Sequence, residues 1–533
     1  MNYKLLGRIL GKIMILEGIL MIAPLIVTFI YQEFNKNVYP NGGIKNILAF
    51  AIPIVVLFSF GIALQFPKPS RRSLYQKEGF ALVAMVWIVM TLFGALPFVI
   101  NGDIPNYINA CFETMSGFTT TGASIIDYDI TSLAHSSLFW RSFTHWIGGM
   151  GILVFVLIFI PESKDGSAMH LLRAESPGPQ VGKIVSKMRA TARILYLIYF
   201  GMTALLTIIL ICIPLIDYGN PAISEVVSSK NKVFHAFLMA FGCAGTGGFG
   251  FIPGSIQYFT PVAQYVVAIA LFMFGINFTL YYLILIGKIK DVFRSEEVKT
   301  YFAIIVAAVG LIFLSLQLGN LIDTLDYSTE EAFRHSLLQV ASLLTTAGFS
   351  STDFDVWPML AKMVLVICMF MGGMAGSTAG GIKTSRFVMA IKGSYINIRK
   401  LINPRYVPKA KFEGKLLEEK TMNDVFAFFT MYAFIFIIVM LILSFDPVNG
   451  TTFYITSDAG ANREVTHGFF TNFSAVASCM SNIGPGFEAV GPYASFNGFS
   501  YFSKIVLTFT MLIGRLEILP VFILFSPRTW KKI

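Results

Sequence analysis

Apolar runs recur along the chain at close intervals, each near the roughly 20 residues a helix needs to cross a bilayer. They lie at 9–31, 47–66, 79–100, 138–160, 192–216, 261–286, 300–320, 358–382, 423–445 and 500–526, and predict ten crossings with both termini on one side. The first run is long and has no small-residue cleavage site after it, so it is expected to be retained as a helix. Four of the intervening loops hold a further apolar segment, too short to span, that ends in small residues and a glycine. Aligned without gaps these read NACFETMSGFTTTGA (109–123), HAFLMAFGCAGTGGF (235–249), HSLLQVASLLTTAGF (335–349) and TNFSAVASCMSNIGP (471–485). Gly122, Gly248, Gly348 and Gly484 fall at one common place, and Ser116, Gly242, Ser342 and Ser478 precede them at one common distance. Internal repetition of this kind decides the architecture.

The repeated unit is a long helix, a short re-entrant helix, a glycine-bearing loop and a second long helix. Irregular backbone is tolerated at membrane depth only where protein shields it or where it lines a wet cavity. Four such loops converging on one axis would present rings of carbonyl oxygen, the arrangement that replaces the water shell of a potassium ion. Glycine is expected at each loop for the positive φ that turns a carbonyl inward. The predicted fold is an all-α polytopic membrane protein, with four pseudo-fourfold repeats after two extra N-terminal helices. The expected divisions are 1–78, then repeats at 79–193, 194–299, 300–422 and 423–533.

Composition agrees with a membrane protein and charge orients it. The chain is 55% hydrophobic and 13% charged, against about 25% charged in soluble domains. The segments 1–12, 67–78, 161–193, 287–299, 383–422 and 527–533 carry 30 of the 40 Lys and Arg, and the opposite loops carry six. Basic residues stay in the cytoplasm, which predicts cytoplasmic termini in a cytoplasmic (inner) membrane protein. The opposite loops also hold 17 Asp and Glu, so their mouth would attract cations. An excess of base on a membrane face speaks for anionic lipid and gives no support to nucleic-acid binding.

MSGFTTTGAS, LLTTAGFS and SNIGPGFEAVGP, together with GGMAGSTAGGIK and GRLEILPVF, resemble the Trk/Ktr/HKT potassium transporters over essentially the whole chain. The two helices before the first repeat place the resemblance on the bacterial Trk side. It implies potassium uptake through a single-chain pore, no catalytic activity and no cofactor, a homodimer, and a cytosolic RCK-type nucleotide-binding subunit that gates the pore. The ion-coordinating positions it implies are Thr120, Thr121 and Gly122; Thr246, Gly247 and Gly248; Thr346, Ala347 and Gly348; and Asn482, Ile483 and Gly484. In the second repeat Gly245 rivals Gly248, and the spacing and following Phe249 favour Gly248. Only the glycine is common to all four loops, which predicts fewer well-formed ion sites than four identical loops would give.

GGMAGSTAGGIKTSR, Gly372 to Arg386, nearly spells a phosphate-binding loop, but Ile382 spoils the spacing and an apolar helix precedes it where a buried strand should. Small residues let a helix unwind beside a wet cavity, and the family places at this point an intramembrane loop that obstructs the pore. Gly372, Gly373, Gly376, Ser377, Thr378, Gly380, Gly381 and Lys383 are the expected gate, with close helix packing as the competing reading. The basic stretch 387–422 is expected as a cytoplasmic linker that couples to a partner or to anionic lipid.

Arg515, in the last crossing, is expected to face the pathway or to pair with a carboxylate from another helix. Glu113, in the first short helix, is expected to brace its loop. Arg141, Lys362 and Lys504 are expected to snorkel to the membrane interface, and His235 and His335 to cap or border their short helices. Cys111, Cys212, Cys243, Cys368 and Cys479 have no metal-like spacing and read as small core residues. A rival enzyme reading would take Ser377 as nucleophile with His235 or His335, or Asp127-Tyr128-Asp129 as a metal site, and explains none of the repeats. Passive conduction and coupling to H⁺ or Na⁺ both remain open.

Overall fold

The computed structural model describes every residue except 37–41, 69–74, 128–129, 152–187, 218–230, 322–325, 404–410, 457–461 and 531–533. The second half of the fourth predicted crossing, most of the basic segment 161–193 and the latter part of the 127–129 motif therefore lie outside it.

Two helical layers precede the repeats. α1 (Tyr3–Leu20) continues across Met21 into α2 (Ile22–Ile30), and α3 (Ile44–Ala63) packs along them. Gly11 and Gly61 set that crossing: a Cβ on Gly11 would lie 2.6 Å from the Gly61 carbonyl oxygen. Small residues of this kind let membrane helices approach closely.

Four helical units follow. The first is α4 (Gln76–Gly94), α5 (Leu96–Asn101), α6 (Tyr107–Phe118) and α7 (His135–Gly149). The second is α8 (Met188–Cys212), α9 (Lys232–Gly245), α10 (Pro261–Phe274) and α11 (Phe278–Leu285). After the connector α12 (Ile289–Arg294), the third is α13 (Glu296–Leu321), α14 (Thr329–Leu344), α15 (Met359–Phe370) and α16 (Thr384–Ile402). The fourth is α17 (Glu419–Leu443), α18 (Phe469–Ser481), α19 (Tyr501–Arg515) and α20 (Leu519–Phe525). The short helices α6, α9, α14 and α18 are buried at the centre of the bundle, walled in by the long ones.

Among the described residues, predicted crossings and observed helices diverge at the second long helix of the second, third and fourth units. Residues 261–286, expected as one helix, form α10 and α11 with a 91° bend between them. Gly275 ends the first, and the Asn277 side chain caps the second by accepting from Thr279 N. Residues 500–526 break where Glu517 (φ 55°) and Ile518 (φ 72°) take left-handed backbone. The helix expected over 358–382 stops at Phe370. Residues 371–383 then form a loop closed by parallel pairing of β1 (Met371–Gly372) with β2 (Ile382–Lys383), which overturns the helix-packing reading of its glycines. The linker expected over 387–422 is not featureless: α16 occupies its start, and β3 (Lys411–Phe412) and β4 (Lys415–Leu416) form a hairpin.

A second hairpin, β5 (Thr452–Thr456) with β6 (Asn462–Thr466), stands beside the glycine loops. Helix caps come from Asn106 on α6 and from Ser328 with Glu331 on α14. His335 Nδ1 instead meets Ser351 Oγ at 2.8 Å and His235 stacks on Phe251. Cys243, Cys368 and Cys479 are core residues as expected, whereas Cys212 is exposed.

Candidate functional site

Each short helix runs into its loop through the same backbone turn. The residues after or just beyond the helix ends, Thr120, Thr246, Thr346 and Asn482, all take left-handed conformations, with φ of 56°, 52°, 58° and 57°. One backbone bond then recurs four times. Thr121 N donates to Ser116 O at 2.8 Å, Gly247 N to Gly242 O at 2.9 Å, Ala347 N to Ser342 O at 2.7 Å and Ile483 N to Ser478 O at 3.0 Å. This bond accounts for the small residue that precedes each glycine: the chain folds back over that position. At Gly242 a Cβ would already lie 3.0 Å from Gly247 O and 2.8 Å from Phe349.

The four glycines close a ring. A Cβ on Gly122 would lie 2.7 Å from Gly248 N, one on Gly248 2.3 Å from Ala347 O, one on Gly348 1.9 Å from Ile483 O, and one on Gly484 2.8 Å from Thr121 O. Each loop thus touches the next, and the fourth returns to the first. Gly122, Gly348 and Gly484 have φ of 79°, 82° and 112°. Gly248 is not among the positive-φ residues, so the expectation of left-handed geometry fails at this one position; space against the third loop is what demands glycine there. Gly245, the rival, is the last residue of α9 and packs on His145. The C-terminal ends of four helices point at this ring, and their partial negative charge favours a cation. Thr120 Oγ1 and Asn482 Oδ1 are buried with no hydrogen-bond partner among the described residues.

The wall behind the ring contains charges that the sequence pattern misassigned. Arg141 does not snorkel: it is 2% exposed and its Nη2 lies 2.8 Å from Glu113 Oε1. Glu113 also accepts from Ser124 Oγ at 3.0 Å and Ile125 N at 2.9 Å, just beyond the first loop. Arg141 Nη1 donates to Gly250 O at 3.0 Å, and its guanidinium lies over Phe249. This buried pair therefore ties the first loop to the second, and Glu113 braces as expected. His145 does the same: Phe249 N donates to Nε2 at 3.3 Å, which leaves Nδ1 to donate to Gly117 O at 2.9 Å. Lys504 is 2% exposed and donates to Asn109 and Asn497 at 3.0 Å each, so it too is internal. On the far side Asp355 accepts from Arg463 Nη2 and from Glu488 N at 2.8 Å each, joining the third and fourth units. Burial raises the Asp355 carboxyl above its ordinary value, with Arg463 pulling the other way.

Above the ring, on the side away from the termini, opens a cavity of about 880 Å³ that all four glycines line, with Asp127 and Asn497 on its wall. Beneath the ring lies the 371–383 loop. Gly380 N supports the third loop from below by donating to Thr346 Oγ1 at 2.6 Å, and a Cβ on Gly380 would lie 2.5 Å from Ser481 O. Gly372 and Gly373 pack against the loop's return, while Gly376 (φ 78°) and Gly381 (φ 64°) make its turns. Met374 N donates to Gly275 O and Phe278 N to Gly376 O, both at 3.0 Å, so the loop fills the bend of the second unit. Lys383 Nζ donates to Ala379 O.

Arg515 crosses this lower layer. Nη1 donates to Thr378 O at 3.0 Å, and Nη2 to Gly148 O at 2.6 Å and Gly149 O at 2.9 Å. It therefore ties the loop to the first unit through carbonyls, while Glu517, two residues further on, pairs with Arg386. Ser377 Oγ donates to Met374 O, remote from the stacked His235 and from His335, so no nucleophile–base pair forms.

Re-entrant loops that close a ring of backbone within a bundle of membrane-crossing helices define an all-α polytopic membrane protein. The chain belongs to the TrkH family of cation transport proteins, which it matches over residues 46–532. It is 31% identical over 539 residues to the Trk system potassium uptake protein TrkH of Salmonella typhimurium, covering 100% of each chain. It is 30% identical to the Trk system potassium uptake protein TrkG of Escherichia coli, covering 99% of each. Its fold matches the crystal structure of the potassium transporter TrkH from Vibrio parahaemolyticus with a TM-score of 0.79, at 28% identity over the full length of both. These relatives are transporters, and the hydrolase reading is set aside.

Proposed function

We propose that this chain carries potassium ions across the cytoplasmic membrane, through a filter made by the four glycine loops and past a gate made by residues 371–383. The single observation that carries the reading is the closed ring of four loops, each built on the same left-handed residue and the same backbone bond. The potassium uptake named in its relatives supports the choice of ion. Carbonyl oxygens of Thr120, Thr121 and Gly122, of Thr246, Gly247 and Gly248, of Thr346, Ala347 and Gly348, and of Asn482, Ile483 and Gly484 replace the hydration shell. Gly372, Gly373, Gly376, Ser377, Thr378, Gly380, Gly381 and Lys383 form the obstruction below, and Arg515 holds it through Thr378.

The repeats divide near residues 78, 193, 299 and 422. The basic segments face the cytoplasm with both termini, and the cavity faces outward. A cytosolic RCK-type nucleotide-binding subunit gates the pathway, and two copies of the chain assemble as a dimer in the membrane. Expression in a bacterium lacking potassium uptake, together with the gating subunit, tests the reading. Growth restored at low potassium is the expected result. Failure to grow, with the protein present in the membrane, rejects it.

A further inference from the structure

The 371–383 loop is held from the cytoplasmic side by a relay of two glutamates that begins on an exposed hairpin. Ala375 N, within the loop, donates to Glu297 Oε1 at 2.8 Å. Glu297 is the second residue of α13 and 6% exposed. Its own backbone N donates to Glu413 Oε1 at 3.0 Å, and Ser295 Oγ donates to the same oxygen at 2.8 Å. The first N–H groups of a helix have no partner within it, and a carboxylate placed there is favoured by the helix dipole. Glu413 fills that role for α13 from another part of the chain.

Glu413 stands at the turn of the β3–β4 hairpin, where Glu413 (φ 50°) and Gly414 (φ 73°) are both left-handed. The hairpin is anchored on one side and exposed on the other. Phe412 is 2% exposed and packs with Met389 of α16 and Val425 of α17. Lys392 Nζ donates to Lys411 O at 2.6 Å and also to the carboxylate of Glu296. Lys411, Gly414, Lys415 and Leu416 are exposed. A force on the hairpin reaches the loop in two hydrogen-bonded steps, from Glu413 to the start of α13 and from Glu297 to Ala375.

We infer that the Lys411–Leu416 hairpin is the handle of the gate, with Glu413 and Glu297 as positioning residues that hold the 371–383 loop under the filter. This rests on the gate reading above. Each step is an acceptor relation, so alanine breaks it while glutamine keeps an acceptor oxygen. The test is potassium efflux from liposomes holding the full chain without any partner, with thermal unfolding measured alongside. Glu413→Ala and Glu297→Ala are each expected to raise efflux on the order of tenfold, and Glu413→Gln to stay within about twofold of the parent protein. Because the two residues act in series, Glu413→Ala/Glu297→Ala is expected to match the larger single effect. Unchanged efflux in Glu413→Ala, or effects that multiply in the double variant, overturns the relay. A variant lacking 374–380 separates the two failures: if it conducts freely while Glu413→Ala does not, the gate stands and the handle falls. If it conducts no faster than the parent protein, the gate reading itself falls.

Discussion

At the level of Gly122, Gly248, Gly348 and Gly484 the four units are nearly interchangeable, with one turn, one backbone bond and one glycine repeated around an axis. In the layer beneath they are not. α10 and α11 are joined by a short bend at 275–277, α19 and α20 by an equally short break at 516–518, but between α15 and α16 stands the whole 371–383 loop. The loop lies against the break of the second unit and the start of the fourth loop, and Arg515 links it to the end of α7. Coordinating a spherical ion asks the same thing of every unit, so identical local geometry pays in the upper layer. Control asks for one movable element, and four would have to move together. With the ring as the proposed filter and the loop as the proposed gate, symmetry and its loss divide ion selection and regulation between the two layers.

The sharpest way to break this comparison is to unfasten the upper layer from its wall. Arg141→Ala leaves the Glu113 carboxylate buried without its cation, and a broken buried pair costs about 3–5 kcal/mol. A fall of that size in unfolding free energy, together with loss of potassium uptake, is expected. A variant that unfolds as the parent does would show that the first two loops are held together by something else. Next in size is Gly348→Ser, which puts a side chain on φ 82° and a Cβ 1.9 Å from Ile483 O. Forced left-handed backbone costs about 1–3 kcal/mol, so the preference for potassium over sodium is expected to fall about tenfold. Permeability ratios unchanged in single-channel or flux measurements would remove Gly348 from the filter.

The upper layer was legible in the sequence because its constraint is local. A chain that folds back on itself needs a small residue at a fixed distance before the glycine, and Ser116, Gly242, Ser342 and Ser478 carry that spacing openly. The lower layer was legible only in part. Hydropathy reports burial but not direction, so an apolar run that bends by 91° at Gly275–Asn277 scores like a straight helix. Arg141 and Lys504 were misread for a related reason. A cation near the end of an apolar run looks like an interfacial anchor, and only the fold brings Glu113 or Asn109 to it. Gly248 shows the limit of the repeat itself: alignment finds the glycine but cannot tell positive φ from close approach.

The smallest expected effect tests the lower layer on its own terms. Ser377 Oγ donates to Met374 O at 2.7 Å, a bond inside the loop that reaches no other unit. Ser377→Ala removes about 0.5–1.5 kcal/mol and should loosen the loop without touching the ring. Efflux is expected to rise by no more than about tenfold, with the potassium-to-sodium ratio unchanged. The two readouts separate the layers: a changed ratio would mean that the loop shapes the filter, and that selection and control are not divided between them. Retained uptake in the same variant also excludes any role for Ser377 as a nucleophile, since an alanine there has no oxygen to attack with.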